Sequence, residues 1–162
     1  MSNLYNKGIL SPSSRRVFAK AGLIAVSVLA VALFVGCKGQ PKTVDRVWFK
    51  NIKDGAVVSS PVKLEFDVEG MTVKPAGPPI EGTGHHHIIV NGDSIPEGTI
   101  IRNDGPKDIP ADKTHMIHYG KGQLETSLDL KPGKYKLTMQ FADGHHKSYG
   151  PRMATSINIT VK

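Results

Sequence analysis

From residue 44 onward the chain alternates between apolar and polar positions with a period of two, broken by stretches rich in Gly, Pro and Asp. The clearest run has Val62, Leu64, Phe66 and Val68 on one side and Lys63, Glu65, Asp67 and Glu69 on the other. This is the pattern of an antiparallel strand with one face buried. Tyr135, Leu137, Met139 and Phe141 repeat it against Lys136, Thr138 and Gln140, which are expected to face water. Ile157, Ile159 and Val161 repeat it near the C-terminus, and Leu124, Leu128 and Leu130 alternate with Glu125, Ser127 and Asp129. Residues 44–50, enriched in Val, Trp and Phe, read as a first strand, with Trp48 beside Phe49 expected in the core. Residues 85–90 read as another strand, ended by Asn91-Gly92. Residues 70–84 and 93–113 carry too much Pro and Gly for helix or central strand and are expected as long loops. No helical periodicity appears after residue 43. Six or seven short strands separated by turns predict an all-β, antiparallel β-sandwich. Leu130, the Pro132-Gly133 turn and Tyr135 at a strand start resemble the tyrosine corner of immunoglobulin-like sandwiches, so the expected fold class is immunoglobulin-like.

The first 36 residues differ in kind. Ser14-Arg15-Arg16-Val17-Phe18-Ala19-Lys20 precedes an apolar run over residues 21–35. At about fifteen residues this is short of the roughly 20 needed to span a bilayer, and it fits a signal-peptide h-region. The paired Arg15 and Arg16 with their flanks resemble a twin-arginine export signal; an ordinary secretory leader with two arginines is the alternative. Gly36-Cys37 at the end of the run resembles a lipobox, with Phe34 where leucine is usual. The expected organisation is a signal peptide over 1–36, which would be an N-terminal helix of lipoprotein type. A lipidated Cys37 and linker follow over 37–43, then one domain over 44–162. A lipidated Cys37 would tether the domain to a membrane surface, placing it in the bacterial cell envelope, facing periplasm or exterior.

Charge and cysteine content narrow the classes further. The formal charge of +7 includes Lys7, Arg15, Arg16 and Lys20; without these four leader residues it is +3. No basic block is interleaved with aromatics, so nucleic acid is not an expected partner. Cys37 is the single cysteine. No intrachain disulfide can form, and a capped Cys37 cannot ligate metal.

The candidate chemistry lies in the histidines. All seven fall between residues 85 and 146, as His85/His86/His87, His115/His118 and His145/His146. On a strand, His85 and His87 share one face and His86 takes the other, so the triplet cannot chelate as a unit. If residues 115–118 are extended, His115 and His118 also point apart. A site must therefore be assembled from several segments. The metal candidates are His85, His87, His118, His145 and His146; secondary candidates are His86, His115, Met116 and Asp143. Neutral imidazole suits copper and zinc, and the thioethers of Met71, Met116, Met139 and Met153 add weight to copper, although Met139 falls in an inward alternation. A mononuclear site requires the clusters to lie within about 10 Å, since ligand nitrogens sit near 2 Å from the ion. Asp143 could orient a histidine or simply serve the Asp-Gly turn.

The stretches over residues 54–61, 70–77, 82–87, 118–126, 130–135 and 142–146 together resemble the bacterial envelope family known as domain of unknown function 4399. The resemblance implies an exported immunoglobulin-like domain and assigns no activity. The expected function is a lipid-anchored domain that binds copper or zinc through clustered histidines, for sequestration, delivery or support of envelope redox proteins, with an envelope protein as partner. The alternative is a non-metal interaction module, contacting protein or glycan, whose histidines are structural. A metalloenzyme would need an open metal position and a general base; no catalytic residue is assigned.

Overall fold

A computed structural model of the chain describes residues 44–162. The expectations for Arg15, Arg16 and Cys37 lie outside the described residues. The strands are β1 (Arg46–Phe49), β2 (Ala56–Val58), β3 (Val62–Glu69), β4 (Thr72–Val73), β5 (Thr83–Val90), β6 (His115–His118), β7 (Glu125–Leu128), β8 (Gly133–Ala142) and β9 (Ala154–Val161), and one turn of 3-10 helix covers Pro151–Met153. The domain is all-β, as the period-two pattern predicts. Among the described residues no helix is long and apolar enough to cross a membrane.

Two sheets pack face to face. The smaller has the order β1-β3-β7 and the larger β2-β9-β8-β5, with β4 and β6 both pairing with β5. Most pairings are antiparallel; the short β2–β9 and β4–β5 pairs at the margins are parallel. The interior is built from the inward positions of both sheets: Val47, Phe49, Leu64 and Phe66 from one, Ile88, Val90, Leu137, Met139, Phe141, Ile157 and Ile159 from the other. The tyrosine corner is present, with the Tyr135 hydroxyl donating to the Lys131 carbonyl at 3.0 Å.

Three expectations are corrected. Trp48 is only half-buried, because alternation sends Val47 and Phe49 inward and leaves Trp48 outside beneath the Arg46 guanidinium, 4.9 Å from its ring. Leu124 lies just before β7 and is exposed. Thr138 and Gln140 do not face water: both are fully buried on the outer face of the large sheet. Irregular chain covers that face, and its polar groups find partners there. Thr138 Oγ1 donates to the Gly92 carbonyl, and Gln140 Nε2 donates to the carbonyls of Gly150 and Met153. The same cover buries a second apolar cluster of Ile89, Ile101, Met116 and Ala142. Both faces of β5 are thus buried, which explains why its sequence runs Ile88-Ile89-Val90 without alternation. At the start of β5, Gly84 lies so close to β8 that a Cβ would collide with the Ala142 carbonyl and the Phe141 ring.

Candidate metal centre

The histidine site sits on the outer face of the large sheet, on β5 and the segments either side of it. Strand alternation directs His85 and His87 to this face. Register then places His118 of β6 directly opposite His87, and Ala142 of β8 opposite His85. The chain leaves β8 through a turn that returns His146 to the same place. His146 adopts a left-handed backbone conformation, φ 65°. The turn is closed by Asp143 Oδ1, which accepts from the amides of His145 and Lys147 at 2.8 and 2.9 Å.

Four imidazoles converge as a result. Ring centroids lie 4.8 Å apart for His85 and His87, 4.9 Å for His85 and His118, and 5.1 Å for His87 and His118. His146 lies 4.5 Å from His118, 5.1 Å from His85 and 5.9 Å from His87. One nitrogen from each of His85, His87 and His118 falls within 4.8 Å of the others. A tetrahedral ion with bonds near 2 Å would draw such nitrogens to about 3.3 Å apart. His85, His87 and His118 are therefore positioned to hold a metal.

The electrostatics fit that use. Burial, reinforced by the neighbouring imidazoles of His85, His118 and His146, lowers the His87 pKa to about 2. Burial and the same kind of crowding by His118 and His146 lower that of His85 to about 4, against an opposing pull from Asp143. His118 is also lowered, by burial and then by His146. At neutral pH these three rings are uncharged and keep a lone pair for an ion. His118 Nε2 and His85 Nε2 share one hydrogen bond at 3.1 Å, with one of them the donor. His85 Nδ1, His87 Nδ1 and His146 Nε2 are buried with no hydrogen-bond partner among the described residues. Each such atom costs about 1–3 kcal/mol if nothing binds it.

The family model described as Domain of unknown function (DUF4399) matches residues 64–162. The chain belongs to the DUF4399 family. No curated protein and no solved structure matches it. The matched span of this DUF4399 domain contains all four converging histidines.

The other candidates lie elsewhere in the DUF4399 fold. His145 is exposed on the outside of the turn. His86 points through the sheet into the interior, between Phe66 and Phe141, at 5.2 and 5.0 Å between ring centroids. His115 is opposite Val90 in β6, and its Nε2 bonds the Gly105 carbonyl at 2.8 Å. Met116 belongs to the outer apolar cluster, Met139 and Met153 to the core, and Met71 packs against the core. Asp143 serves its turn and reaches His85 only through its charge. Sequence reasoning missed Gly120. A Cβ there would collide with the His118 ring, so the absence of a side chain two residues after His118 is what leaves room for the imidazole.

Proposed function

We propose that this domain binds one copper or zinc ion through His85, His87 and His118, with His146 completing the set. The observation that carries the reading is the convergence of His85, His87 and His118, uncharged at neutral pH, beside buried nitrogens of His85, His87 and His146 that have no partner among the described residues. The donor set is entirely nitrogen, because the methionine sulfurs are engaged in packing; this suits zinc and copper alike. Sequestration, delivery or support of envelope redox proteins is the corresponding role. The leader sequence alone supports export and lipid anchoring at Cys37, and an envelope protein partner follows from that location.

The 3.1 Å bond between His118 and His85 favours a second reading, in which the histidines knit the segments together without an ion in a non-metal interaction module. Metal titration of the purified full chain separates the two. The first reading expects one equivalent of zinc or copper bound with saturation, lost in His87→Ala and retained in His145→Ala. No saturable uptake of either ion by the unsubstituted protein would leave the second.

A further inference from the structure

The Pro- and Gly-rich segment between β4 and β5 runs past every segment that contributes a histidine to the site. Lys74 N donates to the Gly84 carbonyl at 2.7 Å, Ala76 N to the Gly120 carbonyl at 2.8 Å, and Gly77 N to the Gly144 carbonyl at 3.0 Å. Gly84 immediately precedes His85, Gly120 lies two residues after His118, and Gly144 two before His146. Three consecutive main-chain donors of one short strap thus tie down the three strands or turns whose side chains meet. The composition suits the task. In Pro75-Ala76-Gly77-Pro78-Pro79 only Ala76 and Gly77 possess an amide hydrogen, and both use it on a site-bearing segment. The prolines remove conformational freedom from the strap before it docks. Contact at the far end is tight: a Cβ on Gly144 would collide with the carbonyls of Gly77 and Pro78.

We propose that Ala76 and Gly77 are positioning residues for the metal site, acting through the Gly120 and Gly144 carbonyls to hold the His118 and His146 rings beside His85 and His87 before an ion arrives. The proposal rests on the metal-binding reading for its purpose, but the ring placement it describes exists without metal. Ligands held in place in advance bind more tightly, and loss of outer supports of this kind weakens metal sites by about 10–100-fold.

The test uses the full chain with zinc(II) as probe and two readouts. One is zinc affinity; the other is the proton–proton NOE between the His118 and His85 rings in metal-free protein. Ala76→Pro removes one strap donor, and Gly144→Ala pushes the strap away from the opposite side, so the result does not depend on one variant folding. Ala76→Ser keeps the amide and serves as the conservative control. The expected result is a 10–100-fold loss of affinity and loss of the NOE in Ala76→Pro and Gly144→Ala, with both preserved in Ala76→Ser. Retention of the NOE and of the affinity in the first two overturns the proposal, as does weakened binding with the NOE intact. If the unsubstituted protein binds no zinc or copper while the variants still lose the NOE, the metal reading fails and the positioning role stands.

Discussion

His86 shares a strand with His85 and His87 but faces the apolar interior, where neither ring nitrogen has a partner among the described residues. Burial, then the neighbouring His85, lowers its pKa to about 4, while Asp67 pulls weakly the other way. Its environment is Phe66 and Phe141, and an aliphatic side chain of similar volume removes two unpartnered polar atoms. His86→Leu is therefore expected to raise unfolding stability by about 1 kcal/mol or more while leaving zinc or copper affinity unchanged. Denaturant unfolding checks the first effect; a loss of stability on substitution would show that the ring is satisfied. The split of the triplet was legible in the sequence because period two is geometry. The choice of His146 over its neighbour His145 was not: it depends on one left-handed φ in a turn, and either residue of a His-His pair can occupy that conformation. Gly120 was invisible for a related reason. A glycine two residues after a histidine reads as ordinary turn chemistry until the ring is seen lying against it.

At the level of strands, β3, β8 and β9 followed directly from alternation, and the tyrosine corner from the Pro132-Gly133 turn before Tyr135. Tyr135→Phe removes only the bond to the Lys131 carbonyl, so thermal or urea unfolding should show a loss of about 0.5–1.5 kcal/mol with unchanged metal binding. A neutral substitution would mean that the corner is held by packing alone. The two-residue β4 and the outer cover of the large sheet were not legible. A pairing as short as Thr72–Val73 has no period, and burial of Thr138 and Gln140 depends on a loop that returns from more than forty residues away to supply partners such as Gly92. Polar residues in an alternating strand look solvent-facing unless that return is known.

Across the whole domain, the buried histidines make stability depend on acid. His86 titrates near 6.5 when unfolded and near 4 when folded, so the unfolded chain binds the proton first. The domain is therefore most stable above pH 6.5, where the ring is neutral in both states, and loses stability as pH drops toward 4, by about 1.4 kcal/mol per pH unit for a single group of this kind. His85, His87 and His118 are lowered in the same direction and steepen the fall. Asp54, Asp93 and Asp104 are lowered below 3.8, so their loss is confined to more acidic solution. Urea midpoints measured from pH 7.5 to 4 should be level at the upper end and decline below 6.5. A level profile down to pH 4.5 would contradict the burial described for these rings. A bound ion, which requires unprotonated imidazole, should shift the decline to lower pH by stabilising the folded state alone.

The close approach of Gly84 to β8 bears on how the chain finds one pairing among its neighbours. The sequence Gly84-His85-His86-His87-Ile88-Ile89-Val90 has histidine and aliphatic residues on both faces, so hydropathy opposes a one-residue slide of β5 only in part: His85, His87 and Ile89 would take the inward places of His86, Ile88 and Val90. The exchange would nevertheless turn His85 and His87 into the core and dismantle the site. Sliding either way replaces Gly84 with Thr83 or His85, whose Cβ would meet the Ala142 carbonyl. One residue without a side chain thus adds a steric bar to slides that hydropathy opposes only in part, and it does so at the position next to the first histidine.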